Sequence, residues 1–405
     1  MRILSISAQK PDSTGSGVYM TELIRAFADK GYEQGAVAGI GPEDRPELPE
    51  AIRFYPVRFE TEDLPFPVAG MSDEMPYRST RYCDMTEEMT AQFSQAFLKV
   101  IDQAVRKLQP DVILCHHLYL LTALVRKHYP ERRVYGFCHN TDLRQMQKNP
   151  LQRSFIAEQI CDLDGIFALQ AAQTAMISEI YGADTGKIHV VGIGYNDRIF
   201  FQSERKRNGS EIRIAYAGKI AEKKGVMSLL RAMEHLPYRT ERIHLFLAGG
   251  AGNQKEYEEA RSLARRCRYP VEFLGKLSQQ NLAKLYNMCD IFVLPSFCEG
   301  LPLTPVEALA CGDRVVMTDL PGIRPWLTEC APGGDVLYVR PPRMRGVDEP
   351  VEEDLPGFEQ RLAESLWTAA RAVQEQGNLR KPAADLRRIR WEQVAARVGK
   401  AVGIL

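Results

Sequence analysis

Two successive Rossmann-like α/β domains are the fold predicted by three observations. Short apolar runs with the length and β-branched content of buried strands recur along the chain: "RILSIS", "GAVAGI", "DVILCH", "IRIAYAGK", "IHLFLAGG" and "DIFVLPS". Amphipathic helical stretches separate several of them, the alternation expected of a parallel sheet covered on both faces. The scheme then starts again after a polar, basic break around 196 to 210, "NDRIFFQSERKRNGSE". A chain of 405 residues is also too long for one ordinary core.

The first domain, 1–198, opens with the strand "RILSIS", the Gly-containing turn "DSTGSG" and the helix "VYMTELIRAFADKG". Strands "IRFYPV", "RVYGFC", "GIFALQ" and "KIHVVG" follow, with helices "TAQFSQAFLKVIDQAVRKLQ" and "TAMISEIYG" between some of them. Residues 58–90 have prolines and aromatics but no clean period. A segment that long is usually functional or disordered, and its aromatic content favours function. The second domain, 199–384, repeats the pattern with the helix "GVMSLLRAMEHL" and the strands "VEFLGK", "DRVVMT" and "DVLYVR". The tail "ADLRRIRWEQVAARVGKAVGIL" is a last amphipathic helix, 385–405.

Lys plus Arg (52) balance Asp plus Glu (52), so no net field draws the chain to nucleic acid or membrane. No apolar run reaches membrane-spanning length, and "MRILSIS" is too short for a signal peptide. A cytoplasmic protein is expected, with at most peripheral contact at the inner face of the membrane. Nine cysteines without a Cys-x-x-Cys, several inside apolar runs, predict reduced buried thiols. The scattered histidines show no metal-ligand spacing.

Gly15-Ser16-Gly17 lacks a third glycine, since position 20 is Met, so a dinucleotide fingerprint is weak. What remains is a turn able to approach a phosphate or sugar closely. Lys219 and Lys224 in "AGKIAEKKG" lie on a strand-end loop before a helix, where two ammonium groups suit a diphosphate; the plainer reading is that Lys223 and Lys224 are simply a solvated loop. "PSFCEGLPLTPVEALACG" places Glu299 and Glu307 around a turn after a buried strand. One reading is a capping box, with Thr304 as N-cap, Pro305 at N1 and Glu307 at N3 of a short helix stopped by Gly312. The other has the amides of Gly300, Leu301, Leu303 and Thr304 holding a phosphate, with the carboxylates on nearby hydroxyls.

These motifs, in this order over nearly all of the chain, resemble the retaining GT-B glycosyltransferases of family 4, the glycogen-synthase-like and phosphatidylinositol-mannosyltransferase-like group. "EGLPLTPVEALACG" matches that family's Glu-x7-Glu signature. "AGKIAEKKG" is similar to its pyrophosphate-clamping loop, "VEFLGKLSQQNLAKLYNMCDIFVLPS" to its base-binding turn, helix and strand, and "VYGFCHNTD" to its strand ending in a His near the transferred sugar. The resemblance implies two domains facing a central cleft, with the terminal helix "WEQVAARV" crossing back onto the first. It implies transfer, with retention, from a nucleoside-diphosphate sugar that is a substrate and not a cofactor. Glu299 and His139 then face the sugar and Glu307 the ribose. Lys219, Lys224, Gly15, Gly17 and the amides at Gly300, Leu301, Leu303 and Thr304 serve the diphosphate. No metal is expected.

Three departures leave nucleotide and sugar open. Lys219 stands where Arg is commoner, Pro302 where many members have Gly, and "GIGYNDRIF" departs from the usual domain junction. His116 and His117 are read as structural. Asp162-Leu163-Asp164 is read as a strand entry and not as a metal motif. Small-molecule, glycan, lipid and peptide acceptors stay open. A catalytically silent nucleotide-sugar binder and a nucleotide-linked dehydrogenase are the rival readings. The residues His139, Glu299 and both lysines argue against the first, and the missing third glycine against the second.

Overall fold

Seven parallel strands form the first sheet, and its inner strands are buried, as in sheets with helices on both faces. They are β1 (Arg2–Ser7), β2 (Glu33–Ile40) and β3 (Arg53–Arg58), then, after the small separate pair β4 (Ala69–Gly70) and β5 (Thr80–Arg81), β6 (Val112–His116), β7 (Val134–Phe137), β8 (Gly165–Ala168) and β9 (Ile188–Val190). The spatial order is β3-β2-β1-β6-β7-β8-β9. The direction of winding therefore reverses between β1 and β6, and the crevice outside their carboxyl ends is where such a sheet binds ligands. The computed structural model describes residues 1–11, 13–72, 75–203, 211–237, 242–251, 253–346, 349–376 and 384–404.

The helices of this sheet are α1 (Gly15–Ala28), α2 (Glu87–Leu108), α3 (Leu120–His128), α4 (Thr141–Lys148), α5 (Arg153–Cys161) and α6 (Ala172–Tyr181). The longest, α2, shows why its sequence is helical. Thr86 caps it by accepting from the Met89 amide, Glu87 and Glu88 sit in its first turn, and Arg106 and Lys107 in its last. Its buried face, with Phe93 and Phe97, takes up the irregular 58–90 segment. Phe59, Leu64, Phe66 and Tyr82 are all buried in the same core, and Phe59 packs edge-on to Phe97 at 6.1 Å. Phe59, Phe66 and Tyr82 of that segment are thus core residues, while Tyr77 is partly buried against the same core.

The chain divides into two units, Met1–Gly194 with Trp391–Leu405, and Tyr195–Arg390. Their borders lie at 194/195 and 390/391, against 198/199 and 384/385 from the sequence. The expected linker at 196–210 falls partly outside the described residues. The terminal helix Trp391–Ala401 belongs to the first unit and packs on α1. Trp391 meets the Tyr19 ring edge-on at 4.9 Å and lies so close to Gly194 that a β-carbon there would fall 2.5 Å from the indole. Arg397 Nε donates to the Val191 carbonyl at 2.7 Å.

The second unit has one six-stranded parallel sheet: β10 (Ile212–Ala217), β11 (Ile243–Ala248), β12 (Val271–Gly275), β13 (Ile291–Leu294), β14 (Arg314–Thr318) and β15 (Val336–Val339). Helices α7 (Val226–Met233), α8 (Gln254–Arg266), α9 (Gln279–Met288), α10 (Leu303–Ala310), α11 (Ile323–Cys330) and α12 (Leu355–Glu375) accompany it. The order β12-β11-β10-β13-β14-β15 puts its reversal between β10 and β13. The loops that leave those two strands carry Lys219, Lys224 and Glu299.

Candidate active site

In the second unit the two strand-end loops are fastened to each other before any charge is considered. The Tyr216 hydroxyl donates to the Lys219 carbonyl at 2.6 Å, fixing the turn after β10. Gly225 begins α7 at φ +70°, and a β-carbon there would lie 2.0 Å from the Pro295 carbonyl oxygen, so only glycine allows this approach. The Phe297 amide then donates to the Lys223 carbonyl at 3.0 Å. This brings Lys224 Nζ to 2.6 Å from Glu299 Oε1, with the two side chains 26% and 13% exposed. Lys224 is therefore not the solvated loop residue of the plainer sequence reading.

The capping-box reading of Glu307 does not hold. α10 starts at Leu303 with Pro302 as N-cap and has no side-chain cap, which places Thr304 at N2, Pro305 at N3 and Glu307 at N5, two residues past the capping-box position. Prolines at the N-cap and N3 remove two of the four amides that a helix start leaves over, so Leu303 and Thr304 supply the rest. Glu307 is 6% exposed and lies near the buried Tyr286, whose hydroxyl burial and the Glu307 charge together push well above its usual range.

In the first unit, β6 and β7 are neighbours with His116 paired to Phe137, so the chain just past their ends comes together. His116 Nδ1 and His139 Nε2 are 3.2 Å apart, and the His117 ring lies 4.7 Å from that of His139. His116 stacks on Phe137 at 4.7 Å, while Tyr19 meets His139 edge-on at 5.3 Å. Asp142, fully buried, accepts from the Leu118 amide at 2.9 Å and the His139 amide at 3.1 Å, tying both strand ends to α4. Two non-glycine residues here have left-handed backbone, His117 (φ +74°) and Asn140 (φ +70°). Such strain is characteristic of sites held in place by their surroundings.

Sequence reasoning set His116 aside as structural and did not name Asp142. The signals were present: two histidine-bearing strand ends, and an acidic residue in the first turn of the helix after "CHN". Gly15 and Gly17 are not in a loop but in the first turn of α1, where the Gly17 amide donates to Oγ1 of the N-cap Thr14 at 3.1 Å. Asp162 and Asp164 both bind Arg126, at 2.7 and 3.1 Å, which gives them a structural role. No cluster of three or more His, Cys, Asp or Glu with metal-holding geometry occurs among the described residues.

Burial drives the imidazoles of His116 and His117 well below the usual histidine range and that of His139 down to about 3. The folded values thus lie below the unfolded one of about 6.5. Their contribution to stability is complete above that pH and is lost as pH falls toward the folded values. Each such ring removes up to about 1.4 kcal/mol per pH unit in that window. The melting temperature is therefore expected to drop steeply from pH 6.5 to about 4.5, and less steeply in His117→Asn, since Asn tolerates a positive φ. Equal slopes in the two proteins would show that His117 titrates normally.

Two family models match the chain: glycosyltransferase family 4 over residues 13–198 and glycosyl transferases group 1 over residues 197–331. The chain belongs to the GT-B glycosyltransferases of family 4. Among curated relatives, mannosylfructose-phosphate synthase of Agrobacterium fabrum is 31% identical over 186 residues. That match covers 42% of this chain and 40% of the relative, so the chain spans less than half of that protein. D-inositol 3-phosphate glycosyltransferase 2 of Catenulispora acidiphila is 26% identical over 339 residues, 77% of this chain and 75% of the relative. Among solved structures, sucrose-phosphate synthase from Thermosynechococcus elongatus shares the fold with a TM-score of 0.67 at 16% identity, over 99% and 98% of the two chains.

Proposed function

We propose that the protein moves a sugar from a nucleoside-diphosphate sugar to an acceptor hydroxyl, with retention at the anomeric carbon and without a metal ion. The observation that carries this reading is the Lys224–Glu299 pair at the switch point of the second sheet, set between two loops that are bonded to each other. In this reading Lys219, Lys224 and the Leu303 and Thr304 amides neutralise the diphosphate as it leaves. Glu307 takes the ribose hydroxyls, while Glu299 and His139 are assigned to the transferred sugar. Gly15 and Gly17 contribute the start of α1 to the phosphates.

The anomeric C–O bond to phosphate breaks while the acceptor oxygen forms its bond on the same face. The acceptor proton passes to the departing phosphate. Pre-placed cations and amides lower the barrier because they meet charge that grows only as the bond breaks; losing one such donor typically costs about 10²–10³ in rate. His139, held neutral by burial, offers a hydrogen bond and not a charge.

The two curated relatives are named for mannosylfructose phosphate and D-inositol 3-phosphate. Small phosphorylated sugars and polyols are accordingly the first acceptors to test. No described helix is long and apolar enough to cross a membrane. We place the protein in the cytoplasm, with membrane contact at most peripheral.

The experiment is a thermal-shift screen against UDP-, GDP- and ADP-sugars, since a ligand that binds the native state raises the melting temperature. Transfer or donor hydrolysis is then assayed with and without EDTA. Stabilisation by one nucleotide class, with turnover insensitive to EDTA, is expected. Binding without turnover across the acceptor panel would favour a silent nucleotide-sugar binder. Activity lost with EDTA and restored by magnesium or manganese would overturn metal independence.

A further inference from the structure

The first unit holds a cavity of about 210 Å³ that none of the roles above uses. It lies where the 58–90 segment meets α4, and its walls include Ser72, Cys83, Arg144, Lys148 and Asn149. The local sequence explains the charge. Arg144 and Lys148 are four residues apart on α4, so their side chains leave the same face of the helix. The cavity contains no carboxylate among its described lining residues.

Two features make it a built site and not a surface dimple. Gln145, between the two cations, donates through Nε2 to the Met71 carbonyl at 3.1 Å and so fastens the irregular segment to the helix. Asn149 is 4% exposed; its Oδ1 accepts from the Leu151 amide at 3.1 Å, while its Nδ2 is buried with no hydrogen-bond partner. A buried donor left unmade is costly, and native proteins keep few of them. The volume is below the roughly 300–1,000 Å³ of sites that enclose a drug-sized ligand, so it suits one compact group.

We propose that this cavity is an anion site that receives the phosphate of the acceptor. The proposal rests on the transferase reading and deepens it by naming a substrate class. Guanidinium and ammonium groups are the usual partners of phosphate, and an amide donor from Asn149 completes the set. α4 begins two residues after His139, so Arg144 and Lys148 belong to the helix that directly follows that histidine. Arg144 and Lys148 also engage other groups of the chain, and the phosphate must compete for them. The phosphate can belong to a soluble sugar or polyol phosphate or to a phospholipid head group.

Calorimetry on the full chain separates these cases, with inorganic phosphate, D-inositol 3-phosphate, and phosphatidylcholine vesicles with and without phosphatidylinositol. Saturable binding of D-inositol 3-phosphate or inorganic phosphate is expected for a soluble acceptor, and binding only to the phosphatidylinositol vesicles for a lipid one. Arg144→Gln combined with Lys148→Gln should weaken that binding at least about tenfold, because two charge-assisted contacts are lost. Nucleoside diphosphate affinity should be unchanged in that variant, and its melting temperature reports whether it folds. If the double variant is misfolded, Asn149→Asp, which keeps the Oδ1 acceptor for the Leu151 amide and replaces the amide donor with a carboxylate oxygen that repels an anion, should weaken phosphate binding in the same way. No phosphate binding in any arm, or equal binding in wild type and a folded variant, would overturn the anion site. Loss of nucleotide binding by the wild type would instead overturn the transferase reading and leave this site standing.

Discussion

Glu307→Gln is expected to weaken nucleoside diphosphate binding about 100-fold or more while leaving the melting temperature near that of wild type. A carboxylate accepting from ribose hydroxyls makes charge-assisted bonds worth roughly 1.5–3 kcal/mol each, and each 1.4 kcal/mol is tenfold in affinity. The glutamine keeps the shape and one acceptor but loses the charge. Stability is a separate question, and the structure simplifies it. α10 carries no side-chain cap, so Glu307 has no helix-end role to lose. The residue is buried beside Tyr286, and a neutral amide there carries a smaller desolvation penalty than a carboxylate. Calorimetric affinity for UDP, GDP and ADP, read alongside thermal melting, checks both halves. Wild-type affinity for the preferred nucleotide would remove Glu307 from the ribose site; a large fall in melting temperature would make it a structural carboxylate.

Much of this arrangement was legible in the residues because it depends on period and punctuation. The strands read as apolar runs, and parallel pairing followed from the helices between them. What spacing could not decide was the frame of a short helix. "LTPVEALACG" suits a capping box if the helix begins after Thr304, and only the observed start at Leu303 moves Glu307 out of reach. Glycines misled in a similar way, since Gly15 and Gly17 read as loop but lie in the first turn of α1 under the cap of Thr14. Contacts between distant segments were less accessible still. Nothing local to "CHH" shows that His116 will meet His139, because that contact follows from the order of β6 and β7 in the sheet. The aromatics of 58–90 favoured function over disorder on composition alone; three of them, Phe59, Phe66 and Tyr82, are buried in the core with α2, a packing role that composition does not show.

The Lys224–Glu299 pair gives the other large effect, and it changes what each single substitution should do. Were Lys224 solvent-exposed, Lys224→Ala would cost only donor contacts. Held 2.6 Å from a carboxylate that is 13% exposed, it also neutralises Glu299. Lys224→Ala is therefore expected to slow transfer by about 10²–10³ through loss of phosphate stabilisation. It should also cost about 1–2 kcal/mol of stability by leaving a half-buried charge unpaired, between the values for surface and buried pairs. Glu299→Gln should impair transfer as well, since its partner in the proposed reaction is the sugar. Its effect on bare nucleoside diphosphate should run the other way: with its own carboxylate partner neutralised, Lys224 is released to the phosphates and affinity should rise severalfold. The double variant Lys224→Ala with Glu299→Gln should recover stability relative to Lys224→Ala alone but recover no turnover, so the two measurements separate the structural role from the chemical one. Urea midpoints, nucleoside diphosphate affinity and transfer rate for the four proteins close the cycle. If Lys224→Ala binds nucleotide like wild type, the lysine serves only Glu299. If Glu299→Gln leaves nucleotide affinity unchanged or lowers it, the pair does not compete with phosphate, and Lys224 reaches the donor with Glu299 still attached.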